Sequence, residues 1–138
     1  MGALDTVNAL TAALNAQQWD TVASYLTDDF VFSGVTPQPV GKQAFIAAQQ
    51  AWFAGAPDWH IALDNPSESG DTVQGMSHVS GTHTGTLALP GMPPFAATGR
   101  RFTTTDQNTA TVRGNQLSSI TIVPGSPSIT EQLGMPQP

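Results

Sequence analysis

Cysteine is absent. That excludes disulfide staples, thiolate zinc sites, iron–sulfur clusters and a cysteine nucleophile. Charge is scarce too: Asp, Glu, Lys and Arg make up 10% of the chain, against the ~25% usual for soluble domains. Lys42, Arg100, Arg101 and Arg113 are the only four bases, against ten acids, for a net charge of −6. Four scattered bases build no basic stripe, so nucleic acid is not an expected partner. No apolar run approaches the ~20 residues of a membrane span. The start, Met1-Gly2-Ala3-Leu4-Asp5, has neither the basic region nor the apolar stretch of a signal peptide. Met1-Gly2 with Thr6 does fit the short myristoylation pattern, which carries little weight by itself. The expectation is a soluble, cytoplasmic protein with no membrane partner. No Gly-x-Ser-x-Gly elbow, phosphate loop or dinucleotide fingerprint is present. Phosphoryl transfer and nicotinamide chemistry are therefore disfavoured, and no cofactor is expected.

What is present suffices for one core. Hydrophobic residues are 39% of 138, and ordinary domains run ~100–200 residues. No repeat or linker divides the chain, so residues 1–138 read as a single domain.

Leu4, Val7, Leu10 and Leu14 recur at helical spacing and predict an amphipathic helix over about residues 3–16. Asp20 is the expected N-cap of a second helix carrying Val22, Ala23 and Leu26 inward. Asp28-Asp29 is expected to end it, with Phe30-Val31-Phe32 as a strand. A loop with Pro37, Pro39 and Gly41 follows. A third helix runs from Lys42 to Ala54, with Phe45, Ile46, Gln49, Trp52 and Phe53 inward, Gly55 as its cap and Pro57 beyond.

After Pro57 the period changes from helical to alternating. Trp59, Ile61 and Leu63 alternate with polar neighbours. Ser69-Gly70-Asp71 is a hairpin turn. Long strands are predicted over Thr72–Leu89 and Gly99–Arg113, separated by Pro90, Gly91, Pro93 and Pro94. After Gly114-Asn115 comes a last strand, Leu117–Val123, and Ile129–Leu133 allows one helical turn. Helices first and strands after predict an α+β fold: a curved antiparallel sheet packed against three N-terminal helices.

Several segments together resemble a known family. They are Leu14-Asn15-Ala16, Asp28-Asp29-Phe30, Gly41 before the third helix, Pro57-Asp58-Trp59, Gly81-Thr82-His83-Thr84-Gly85, Gly91-Met92-Pro93-Pro94, Gly99-Arg100-Arg101-Phe102 and Glu131-Gln132-Leu133-Gly134. In this order the chain resembles the SnoaL-like polyketide cyclases of the nuclear transport factor 2-like superfamily. The resemblance implies a cone-shaped barrel enclosing an apolar pocket, and often a homodimer. It also implies a cofactor-independent enzyme of the lyase or isomerase type that moves protons on a small hydrophobic carbonyl compound. Aldol cyclisation, isomerisation and dehydration all fit. The family's last-strand Asp falls at Ile122, and Ser118 to Val123 contains no ionisable group. The related ketosteroid isomerase pattern places its base near Ser33-Gly34, its phenol near Leu10 and its third hydrogen-bond donor near Asn108, where an amide can still serve an oxyanion.

The remaining chemistry centres on the penultimate strand. Phe102, Thr104, Asp106, Asn108, Ala110 and Val112 share one face; Thr103, Thr105, Gln107, Thr109 and Thr111 share the other. The second set reads as a solvent or dimer surface. The first then puts Asp106 and Asn108 on the pocket wall, where a carboxylate among apolar neighbours is a general acid/base candidate. Its alternative role is a local hydrogen bond to a Thr or a neighbouring strand. His78 and His83 are five apart and so lie on opposite faces. The flanking glycines favour His83 in the site, since they let a ligand or another backbone come close, with His78 the lesser candidate for a ligand contact. Zinc would need three ligands, and the only route, His78 or His83 with His60 and an Asp, is disfavoured, so no metal is expected. Trp52, Phe53, Trp59, Phe95 and Phe102 are candidate pocket-lining rings, and Tyr25 a candidate phenol donor, with core or surface packing as the alternative for each. Either Arg100 or Arg101 should point inward and could meet Asp106 or an acidic group. With Asp106, His83 and Asn108 as the catalytic candidates, the leading expectation is an enzyme. The alternative, given Ile122, is a non-catalytic protein that binds small hydrophobic ligands.

Overall fold

The computed structural model describes residues 2–35, 38–88, 93–125 and 127–134. Three helices, α1 (Ala3–Asn15), α2 (Trp19–Ser24) and α3 (Lys42–Gly55), accompany five strands. The strands are β1 (Leu26–Ser33), β2 (His60–Ser69), β3 (Thr72–Thr82), β4 (Arg101–Arg113) and β5 (Gln116–Val123), and a short α4 (Ile129–Leu133) follows. They form one sheet in the order β1-β5-β4-β3-β2. The α+β architecture expected from the sequence is the one observed. The sheet is mixed, not wholly antiparallel: β1 runs parallel to β5, while the other three pairs are antiparallel. The reason is topological. Chain order puts α3, β2, β3 and β4 between β1 and its neighbour, and so long a crossover permits a parallel pair.

α1 buries Val7, Leu10, Ala13 and Leu14, the stripe its spacing predicts. Its last residue does more than end the helix. The Asn15 amide donates from Nδ2 to the Ile61 carbonyl (2.8 Å) and accepts from the Ile61 N–H (2.9 Å). The amide imitates a neighbouring peptide and satisfies part of the open edge of β2. The Leu4 N–H donates to Glu68 Oε1 at 2.8 Å and ties the other end of α1 to the same strand.

α2 is shorter than expected. Gln18, not Asp20, is its N-cap, and it ends at Ser24. Leu26 is fully buried in β1, and Asp28 and Asp29 lie within that strand. The Tyr25 carbonyl accepts from the Leu117 N–H at 2.7 Å, so pairing with β5 stops the helix before the acids are reached. Asp29 meets Arg113 at 2.6 Å on the exposed surface. Hydrogen bonding from Arg113 holds its carboxyl below the usual range.

β3 stops at Thr82, short of the expected Leu89; Leu89 to Met92, with Pro90 and Gly91, lie outside the described residues, as do Thr36 and Pro37. Asp58 ends the ladder, accepting from the Thr82 N–H (2.7 Å) and hydroxyl (2.9 Å). The Gly85 N–H then docks on the Gly55 carbonyl of α3 at 2.9 Å. A Cβ at Gly85 would lie 2.3 Å from the Ala54 carbonyl oxygen, so only glycine allows this turn. The segment returns through mutual backbone bonds between Leu87 and Phe95.

Asp58 gives a test of this end of the sheet. The Thr82 N–H, above all, holds its carboxyl below the ordinary value. A depressed carboxyl contributes stability above its unfolded value of ~3.9, and the contribution is lost as pH falls through the folded value. Melting temperature of the wild type should therefore fall more steeply below pH ~4 than that of Asp58→Asn. Parallel curves would mean that the contact adds nothing.

The buried residues form two groups on the helix-covered face of the sheet. The first joins α1, α2 and the start of α3 to Phe30, Phe32, Val73, Ala110, Val112, Leu117, Ile120 and Ile122. The second joins the end of α3 to Trp59, Val79, Leu87, Phe102 and Leu133.

Candidate functional site

Alternation along β4 places Phe102, Thr104, Asp106, Asn108, Ala110 and Val112 inward, as the sequence pattern predicts, and Thr103, Thr105 and Gln107 outward. Opposite them on β3 stand Gly81, Val79, Ser77, Gly75 and Val73. The two ends of this face are apolar, and its middle is a polar band. Ser77 and Thr104 are buried there, with Asp106 and Asn108 half-buried. Asp106 Oδ1 accepts from the Gly125 N–H at 2.8 Å and from the Thr104 hydroxyl at 3.3 Å. Both bonds end on the same oxygen. Asn108 Nδ2 donates to Ser77 Oγ at 3.0 Å. Ile122 lies directly across from Asn108 in the β4–β5 ladder and is 9% exposed. Asp106 is thus the carboxylate on this wall of β4, and the β5 position facing Asn108 is apolar.

Beyond Phe102 the face becomes aromatic. Trp52 and Trp59 stack at 4.8 Å, and Phe102 lies 6.1 and 5.8 Å from them. His83 is 1% exposed and lies flat against Phe95, rings 5.6 Å apart and 5° from parallel. Its Nδ1 receives the Thr98 backbone N–H at 3.2 Å and lies 2.9 Å from the Thr98 hydroxyl. A backbone N–H can only donate, so Nδ1 is an acceptor and the neutral ring carries its proton on Nε2. That Nε2–H is buried without a partner among the described residues, and so are Trp59 Nε1–H and Gln49 Oε1. Each such group costs about 1–3 kcal/mol while unsatisfied.

The remaining candidates fall elsewhere. His78 lies on the outer face, its Nδ1 2.8 Å from Thr105 Oγ1 and its Nε2 3.0 Å from Asp64 Oδ2. The two histidines take opposite faces, as their spacing requires. Tyr25 caps α2 and packs on the first apolar group, away from the aromatic end. Arg100 is exposed and donates to the Gln132 carbonyl at 3.3 Å. Arg101 pairs with outward Thr82. Neither arginine points inward, because β4 begins at Arg101 and strict alternation does not extend to Arg100. Asp106 and His83 are not brought together. His83 lies six positions beyond Ser77, the partner of Asp106, which spans up to ~20 Å of extended chain.

Four residues were not marked by sequence as site candidates. Gln49 sits in the predicted inward stripe but gives no chemical signal there. Ser77, Thr98 and Gly125 acquire their roles only through register and tertiary contact. The glycines flanking His83 do permit close approach, but by the protein itself. A Cβ at Gly81 would meet Phe102 Cζ at 2.7 Å. An open hollow of about 420 Å3, at the irregularity of β2, is lined by Asn65, Ser67, Gln74, Gln107, Asn108 and Thr109 among others, and is mostly polar.

The profile described as the SnoaL-like domain matches residues 7–120. The chain belongs to the SnoaL-like family. Solved structures agree on the fold. IdmH of Streptomyces antibioticus, a candidate polyketide cyclase, superposes with a TM-score of 0.77 at 23% identity, over 98% of this chain and 100% of that one. A candidate SnoaL-like polyketide cyclase from Jannaschia sp. gives 0.78 at 19%, over 98% and 93%. A protein of Catenulispora acidiphila with a ketosteroid isomerase-like fold gives 0.70 at 16%, over 95% and 93%. No curated protein matches this SnoaL-like chain. Among the described residues no helix is long and apolar enough to cross a membrane.

Proposed function

We propose that this SnoaL-like protein is a cofactor-independent acid–base enzyme of the cyclase type. It acts on a small hydrophobic carbonyl compound held in an apolar pocket between the helices and the inner face of the sheet. Asp106 is the base. One observation carries the assignment: Asp106 is fixed through Oδ1 by Gly125 and Thr104, on a wall whose flanks are apolar. Oδ2 is then the oxygen that takes a proton from the carbon beside a carbonyl. Asn108 is one turn of the pleat away on the same face and can donate to the oxygen on which charge develops. Trp52, Trp59 and Phe102 line the far wall. Aldol closure, isomerisation and dehydration share this first proton transfer. We further propose that two copies associate through the Thr-rich outer face, which exposes Val31 and Val123 beside it.

A second reading is favoured by Ile122. With an apolar side chain facing Asn108, the inner face would hold a hydrophobic ligand without converting it. One experiment separates the two. Aromatic polyketides, steroids and terpenoid ketones are screened by thermal shift, and each hit is followed for chemical change. A ligand near a hundred times its Kd stabilises by ~2.7 kcal/mol, enough for a shift of several degrees. The enzyme reading expects hits that are consumed by wild type. Hits that persist unchanged support the binding reading instead.

A further inference from the structure

The geometry points to a second recognition element on the inner face: Trp59 Nε1–H and His83 Nε2–H form a donor pair for the oxygen of a flat, neutral ketone or quinone. This rests on the inner face being a small-molecule site, but not on Asp106 being a base.

Both N–H groups are buried and lack an acceptor among the described residues. Their residues are 7% and 1% exposed. They also belong to one place. Asp58 receives the N–H and hydroxyl of Thr82, and Trp59 and His83 are the next residues on those two segments. Trp59 is buried with Val79 and Phe102, and Phe95, on which His83 stacks, packs against the same inner group. Ring surfaces surround them: Trp52 on Trp59, Phe95 on His83, and Phe102 beside Trp59.

The chemistry of the guest follows. Two donors match the two lone pairs of a carbonyl oxygen, and stacked rings match a flat arene. A carboxylate or phosphate would need a cation, and Arg100 is instead turned to the Gln132 carbonyl. A buried anion without one is heavily penalised. The oxygen is therefore neutral. His83 acts as a fixed donor, with Thr98 holding its proton on Nε2. It determines specificity and takes no proton from substrate.

The test uses the full chain with 9-fluorenone and fluorene, which share a ring frame and differ in a carbonyl against a methylene. Wild type should bind fluorenone more tightly by roughly ten- to a hundredfold, the usual consequence of a site built around a hydrogen bond. His83→Phe keeps the ring and should bring the two affinities close to parity. His83→Gln keeps an N–H and should restore part of the preference, and Asp106→Asn should retain it in full. Long-range 1H–15N spectra of the wild type need no variant to fold. They should show His83 as the Nε2–H tautomer, with that proton shifted by fluorenone. Equal affinity for the two compounds, a preference that survives His83→Phe, an Nδ1–H tautomer, or an Nε2–H already bonded to a buried water and indifferent to fluorenone would each overturn the proposal. Loss of turnover in Asp106→Asn with retained fluorenone preference would separate the two assignments.

Discussion

Asp106→Asn should lower turnover by about 10²–10⁴-fold while leaving the melting temperature almost unchanged. The rate loss is the usual contribution of a positioned general base. The unchanged stability follows from the local bonds. The Asn carbonyl oxygen can still accept from the Gly125 N–H and the Thr104 hydroxyl, as Asp106 Oδ1 does. Asp106 also forms no ion pair among the described residues, so the neutral side chain leaves no charge stranded. Asp106→Ala is the contrast. It removes the acceptor and leaves the part-buried Gly125 N–H without one, at a cost of about 1–2 kcal/mol. Turnover and thermal melts on the two variants together separate chemistry from packing. If Asp106→Asn keeps wild-type turnover, the base lies elsewhere.

Phe102→Ala should destabilise the fold by about 3–5 kcal/mol, the range for truncating a buried Phe. For a chain of this size that is a fall of roughly 10–20 °C in melting temperature. The ring is 1% exposed. It lies against Trp52 and Trp59 and fills the space above Gly81. Little around it can collapse into the gap, because Gly81 has no side chain and the two tryptophans are held by each other. Phe102→Leu retains most of the volume and should cost under ~1.5 kcal/mol. Chemical denaturation of both variants checks the difference. A loss below 1 kcal/mol for Phe102→Ala would mean that the aromatic end is loosely packed.

Much of the fold was legible because it is written in periods. The stripe of α1, the stripe of α3 and the two faces of β4 follow from side-chain geometry alone. Asp106 and Asn108 could be placed on the inner face on that basis. The errors occurred where long-range contacts override local preference. Asp28 and Asp29 look like a helix end, but pairing of β1 with β5 claims them for a strand. The Thr, Ser and Gly texture of β3 continues to Leu89, but Asp58 and the docking of Gly85 on α3 end the strand at Thr82. The inward arginine failed for the same reason, since alternation holds only inside a ladder. The site was legible only in part. Which proton His83 carries is decided by Thr98, fifteen residues along the chain. What fixes Asp106 is a backbone N–H at Gly125, and no side-chain pattern announces that.

Asp106 is proposed to remove a proton from a carbon beside a carbonyl. Exchange into D2O reads that step without knowledge of the natural substrate. Wild type and Asp106→Asn would be incubated with 2-tetralone, and loss of the α-proton signals followed by NMR. Exchange well above the buffer rate is expected with wild type, and a fall towards the buffer rate with Asp106→Asn. Wild-type exchange no faster than buffer with bound 2-tetralone, or equal rates for the two proteins, would contradict it.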